Sequence, residues 1–158
     1  MSKSDRAFME EAIRLAKEGV QNELGGPFGA VVVQDGRIIG RGQNRVLKEE
    51  DPTAHAEMVA IREACRHLQH FQLTGCTIYT SCEPCPMCLG AIYWARPHRV
   101  VYACSREDAS ELGFDDGFIY RELALPVQQR SMPSEQLMRP QALEAMQLWA
   151  EKEDKTAY

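Results

Sequence analysis

The chain has 158 residues, of which 44% are hydrophobic and 26% charged, with a formal net charge of -5. That balance fits one domain with its own core and excludes extended disorder, fibrous repeats and a small disulfide-dependent scaffold. No apolar run reaches the roughly 18 residues of a membrane span, the early acids of MSKSDRAFMEEAIRL are unlike an export signal, and the acidic total argues against a dominant nucleic-acid surface, so a cytoplasmic protein with a small substrate is expected.

In chain order, Ser4 is expected to cap a helix running to about Asn22, with Phe8, Ile13, Leu15, Ala16 and Val20 on its apolar stripe. Gly25-Gly26-Pro27 breaks it. Phe28 to Gln34 reads as a buried strand, Asp35-Gly36 as a hairpin turn, and Arg37 to Val46 as the returning strand. Asp51-Pro52-Thr53 then opens a helical stretch to about Gln69, carrying Met58, Val59, Ile61 and Ala64. Strand Cys76 to Thr80, a helix from near Cys85 to before Pro97, and strand Arg99 to Ala103 follow. Helix, strand, helix, strand is the alternation that builds parallel pairing, so an α/β layered domain is expected, undivided over residues 1–158. Beyond Ser105 the pattern weakens to a short helix near Asp108 to Leu112, a turn over Gly113 to Gly117, and an amphipathic helix from Gln141 to Lys152.

The six cysteines are Cys65, Cys76, Cys82, Cys85, Cys88 and Cys104. In a reducing compartment, three of them spaced three apart read as metal ligands or reactive thiols rather than bridges. Two clusters lie where a loop enters a helix: Thr53-Ala54-His55-Ala56-Glu57 and Ser81-Cys82-Glu83-Pro84-Cys85-Pro86-Met87-Cys88. Cys85 and Cys88 at i and i+3 project from one side of a first helical turn, where the positive helix end favours thiolates. Residues two apart on a helix point about 200° away from each other. His55 and Glu57 therefore face one site only if His55 sits in the half-formed first turn, which Pro52 upstream favours.

One imidazole and two thiolates are the ligand set of a catalytic zinc site with an open fourth position. Such a centre sums to zero charge, so the metal alone acidifies a water less than an all-imidazole site does. Glu57, beside His55 yet not needed as a ligand, is the candidate general acid/base. A closed alternative recruits Cys82 with the other two cysteines and His55 as a structural zinc site or part of an iron-sulfur cluster, which leaves Glu57 idle.

His-x-Glu followed by Pro-Cys-x-x-Cys is the established signature of the zinc deaminases, and at these residues the sequence resembles the zinc-dependent cytidine deaminase superfamily. It is most similar to the bacterial guanine deaminases, through Gly25-Gly26-Pro27-Phe28-Gly29-Ala30, Gly42-Gln43-Asn44, Thr53 to Glu57, Tyr79 to Pro97, Gly113-Phe114-Asp115-Asp116 and a terminal Tyr158. The resemblance spans nearly the whole chain and is weakest from Val127 to Gln147. It implies a three-layer α/β/α fold with a mixed central sheet of about five strands, zinc on His55, Cys85 and Cys88, and Glu57 as proton shuttle. It further implies that Asp116 assists at the amino group of guanine, that Asn44, Ala56, Phe28, Trp94 and Tyr158 contact the purine, and that xanthine and ammonia are the products. A homodimer with an exchanged C-terminal segment, a free purine base as the only other partner, and no nucleic acid or membrane complete that expectation. A tRNA adenosine deaminase shares the metal cluster but must bind a flipped base with its flanking phosphates, and the acidic total disfavours it. Cytosine deaminase comes third, because the cluster alone does not separate pyrimidine from purine.

Overall fold

The structure, a computed structural model, describes residues 2–157. They form two compact units, one ending at Asp116 and the other beginning at Gly117. The first unit holds α1 (Lys3–Gln21), β1 (Gly29–Gln34), β2 (Arg37–Gln43), α2 (Val46–Glu49), α3 (Ala56–Leu68), β3 (Thr77–Cys82), α4 (Pro86–Ala95), β4 (Arg99–Cys104) and α5 (Arg106–Glu111).

Its sheet has the order β2-β1-β3-β4, antiparallel between β2 and β1 and between β1 and β3, parallel between β3 and β4. Mixed pairing is as expected, but four strands rather than about five are present among the described residues. The β1–β2 turn is made by Asp35 and Gly36, both with positive φ, the backbone that a two-residue hairpin requires. Alternation divides each strand between two cores. Val31, Val33 and Tyr79 face α1 and pack with its Leu15, whereas Ala30, Val32 and Ile78 face Ala56, Ala60, Ile61 and Ala64 of α3 and Ile92 and Ala95 of α4. The sheet is thus sandwiched between helix layers.

Gly42 sets how closely α3 approaches. A β-carbon there would lie 1.9 Å from the Ala56 carbonyl oxygen, so the bare backbone of β2 is what lets the first turn of α3 settle onto the sheet.

Several local expectations need correction. Ser2, not Ser4, caps α1: its hydroxyl accepts from the Asp5 N–H while the Asp5 carboxylate accepts from the Ser2 N–H. Val20 is exposed, and the buried face runs through Asp5, Ala12, Leu15, Ala16 and Gly19. Asp5 tolerates burial because the Tyr79 hydroxyl (2.6 Å) and Arg99 guanidinium (2.5 Å) both donate to its Oδ1. These donors and the cap hold its carboxyl well below the usual carboxylate range. The short α2 has too few residues for a periodic signal, and the returning strand ends at Gln43 rather than Val46.

The second unit contains α6 (Gly117–Ala124), a 3₁₀ turn (Val127–Gln129) and α7 (Arg139–Glu151). The helix expected over 141–152 is α7, whereas α6, which begins at the last residue of the expected turn, is not among the expected elements. None of its described residues is buried, and Phe118, Leu123, Leu137, Met146 and Leu148 are among its exposed large apolar side chains. No described helix is long and apolar enough to cross a membrane.

Candidate active site

Two loop-to-helix junctions meet on the α3/α4 side of the sheet. The helix expected to open at Asp51 starts only at Ala56, because the loop before it folds on itself: Asp51 Oδ1 accepts from the backbone N–H of Thr53 (2.8 Å) and from its hydroxyl (2.7 Å). His55 is consequently the N-cap of α3, with extended backbone (φ -70°, ψ 155°), and its ring and the Glu57 carboxylate are released from the 200° separation of a regular helix. Cys85 is likewise the N-cap of α4, followed by Pro86 at the first helical position, and Cys88 lies one turn on. Both junctions aim positive helix ends at one place.

His55 Nδ1 is 3.5 Å from Cys85 Sγ and 3.5 Å from Cys88 Sγ. A tetrahedral zinc, bonded at about 2.0 Å to nitrogen and about 2.3 Å to sulfur, separates such ligand atoms by about 3.5 Å. The two nitrogen–sulfur separations therefore already match those of a zinc tetrahedron, and all three donor atoms lie within 4.8 Å of one another. Cys85 is pulled down to about 4, chiefly by the hydrogen bond from Cys88 and further by His55, while the same bond and burial push Cys88 up. His55 is raised, mainly by Cys85.

Glu57 is buried against this triangle, its Oε2 3.5 Å from Cys88 Sγ and its Oε1 accepting from the Thr80 hydroxyl at 3.3 Å. Burial raises its carboxyl above the usual range, which suits a group that must hold a proton for part of a reaction.

Cys82 takes no part. Its Sγ is turned to the Ser105 carbonyl (3.4 Å) on the β4 side, and burial raises its thiol to about 11. Among the described residues the metal-competent group is His55, Cys85 and Cys88, without the fourth protein ligand that a closed site requires. All six cysteines are free thiols.

Asn44 is buried just beyond β2, and its Oδ1 accepts from the N–H groups of Gly26 and Val46, each at 3.2 Å. Two backbone donors fix which amide atom is oxygen, and the NH2 group is left as the end that can donate to a ligand. Gly25 makes room for this, since a β-carbon there would fall 2.1 Å from that oxygen. The backbone ties Asn44 to its neighbours: its N–H bonds to the Phe28 carbonyl (3.0 Å), and the next residue's N–H bonds to the carbonyl of Ala54, immediately before His55.

Phe28 is half-buried and meets Phe114 edge to face, with ring centres 5.0 Å apart. Phe114 was not singled out as a contact residue in the sequence, although it belongs to the Gly113-to-Asp116 motif. Asp116 closes the first unit, half-buried and within electrostatic reach of Cys85, with desolvation as the main cause of its raised carboxyl. Trp94 is not brought to this cluster within the chain. It is 65% exposed near the far end of α4, about 13 Å along the helix axis from Cys85. Tyr158 lies outside the described residues.

Residues 2–104 match the family described as the cytidine and deoxycytidylate deaminase zinc-binding region. The chain is 54% identical over 151 residues to the guanine deaminase of Bacillus subtilis, covering 96% of this chain and 97% of that one. An X-ray structure of that enzyme superposes with a TM-score of 0.94, covering 100% of this chain and 99% of its own. The guanine deaminase of Nitrosomonas europaea superposes with a TM-score of 0.68 at 32% identity, over 73% of this chain and 66% of that one. A tRNA-specific adenosine deaminase of Aquifex aeolicus is 43% identical over 97 residues, 61% of this chain and 63% of that one.

Proposed function

The chain belongs to the cytidine and deoxycytidylate deaminase zinc-binding family, and from that premise we propose that it hydrolyses guanine to xanthine and ammonia at a zinc centre held by His55, Cys85 and Cys88. The observation that carries the chemistry is one imidazole nitrogen 3.5 Å from each of two sulfurs, with a buried carboxylate against them. Likeness over nearly the full length to a guanine deaminase carries the substrate, whereas the likeness to tRNA adenosine deaminases spans between 61% and 73% of the chain.

Zinc bound there supplies a Lewis acid that makes a water nucleophilic at neutral pH. Glu57 takes one proton of the water as its oxygen bonds to C2 of guanine and gives it to a ring nitrogen, then takes the second proton from the added hydroxyl and gives it to the departing amine. Water adds its oxygen and the amine leaves as ammonia, so xanthine forms with no change in oxidation state. The Asn44 amide donates to a purine acceptor, the Ala56 N–H at the start of α3 donates to another, and Phe28 packs on the ring. Asp116 receives the amino group, with its carboxylate as acceptor.

The wider assembly belongs to the same proposal. Residues 1–158 act as one deaminase domain in a homodimer whose C-terminal segment is exchanged, with Trp94 and Tyr158 lining a purine site. Support comes from the exposed apolar side chains of α4 and α7, including Tyr93, Met146 and Leu148, which a second copy would cover. Six free thiols fit the reducing cytoplasm, and purine catabolism is the process served.

The test is a spectrophotometric panel of guanine, cytosine, adenine and a tRNA anticodon stem-loop. Xanthine and ammonia from guanine, with the RNA unedited, is the expected result. Inosine in the RNA without xanthine from guanine would move the activity to tRNA adenosine deamination.

A further inference from the structure

We infer that Thr80 is a positioning residue for Glu57, holding one carboxylate oxygen so that the other exchanges the proton; this rests on the deaminase reading above. In β3, Ile78 packs on the α3/α4 side of the sheet, and Thr80, two residues on, faces the same side. Thr80 is 1% exposed there, between Ala30 of β1 and Tyr102 of β4. A hydroxyl in such a place is costly without a partner, and valine would fill the same volume with none of that cost. Among the described residues its hydrogen-bond partner is Glu57 Oε1 at 3.3 Å, 23 positions away in sequence. At that length the bond is weak, so its value is directional: a β-branched side chain has a stiff χ1, and its hydroxyl is a fixed donor for a flexible glutamate.

The two oxygens of Glu57 are thereby distinguished. Oε1 faces Thr80, and Oε2 faces Cys88 Sγ at 3.5 Å. As a metal ligand Cys88 is a thiolate with no proton to give, which leaves Thr80 as the side-chain donor to the carboxylate. Oε1 is then the anchored oxygen, and Oε2 is free to take and return the proton on the metal side.

The experiment uses zinc-loaded full-length protein carrying Thr80→Val or Thr80→Ser, each alone and combined with Glu57→Gln, with kcat, KM, zinc content and melting temperature measured. Thr80→Val is expected to lower kcat about tenfold with KM within about twofold, zinc retained and melting temperature not lowered. Thr80→Ser, which restores the donor, is expected to recover most of the loss. In the Glu57→Gln background Thr80→Val should change the residual kcat by less than about twofold, because the residue through which it acts is gone. Unchanged kcat in Thr80→Val, equal impairment by serine and valine, loss of zinc, or the same fold-loss with and without Glu57 would each overturn the assignment. If Thr80→Val does not fold, Thr80→Ala carries the same kinetic and zinc expectations, with a lowered melting temperature from the cavity it leaves. The kinetics are read on whichever base the wild type deaminates, so failure on guanine alone corrects the substrate and leaves Thr80 tested. Absence of turnover on every base overturns both.

Discussion

Replacing His55, Cys85 or Cys88 by alanine leaves two protein ligands, too few for a tetrahedral centre with one open position, so each variant should lose its zinc. Cys82→Ala should keep about one zinc per chain, because that sulfur is turned to the Ser105 carbonyl rather than to the triangle. Elemental analysis of the purified variants reads both outcomes, and zinc loss in Cys82→Ala would argue for the closed site. Glu57→Gln keeps the side-chain volume and the oxygen that accepts from Thr80 but not the proton carrier. Zinc should stay while kcat falls by at least about a hundredfold, and a variant within about tenfold of the wild type would assign the proton transfer elsewhere.

At the scale of elements, the starts of α3 and α4 carry the metal site, and the start of α1 carries a separate joint. Asp5 closes the capping box of α1 and also receives Tyr79 of β3 and Arg99 of β4, so one carboxylate ties a helix to two strands. Its pKa is depressed in the folded protein, first by the Tyr79 hydroxyl and then by the Ser2 N–H and Arg99. A depressed carboxylate stabilises the fold above its unfolded value of 3.8 and loses that effect as the pH falls toward the lower folded value. Asp5→Asn should therefore melt below the wild type at neutral pH, with the gap narrowing as the pH drops through the ordinary carboxylate range. Thermal unfolding followed by circular dichroism at pH 7, 5 and 3 measures it. A gap that stays constant with pH would mean that the carboxylate's charge contributes nothing to the joint.

For the whole molecule, the proposed exchange makes the chain end part of a site rather than a frayed tail. An amphipathic ring such as Tyr158 closing over a purine would exclude water and present a hydroxyl to it. Deleting the last four residues should leave zinc and the dimer intact and sharply reduce guanine turnover. Dimers of Glu57→Gln chains and of truncated chains, unfolded and refolded together, should regain part of the activity if the tail serves the partner's site. Full activity of the truncated enzyme alone would remove Tyr158 from the reaction.

The sequence by itself determined what local chemistry can specify. Period-two and helical runs gave the β1–β2 hairpin, the α3-β3-α4-β4 alternation and the layered class, and the resemblance of the motifs carried the family. The spacing of Cys85 and Cys88 and the His55–Glu57 pair named the metal chemistry, because i,i+3 and helix-start geometry are properties of a few consecutive residues. Local pattern failed where a signal was short or ran past its end: a four-residue helix at Val46, a cap at Ser2 rather than the expected Ser4, and Val20 on a stripe whose end faces solvent. Only the tertiary structure decided which distant groups meet. The Asn44 oxygen is spent on a backbone N–H 18 residues away, Thr80 finds Glu57 across 23, and His55 finds Cys85 across 30. Those pairings are set by β1 lying between β2 and β3 and by the bare backbone of Gly42 beneath α3, since contacts between remote segments depend on packing that no local run of residues encodes.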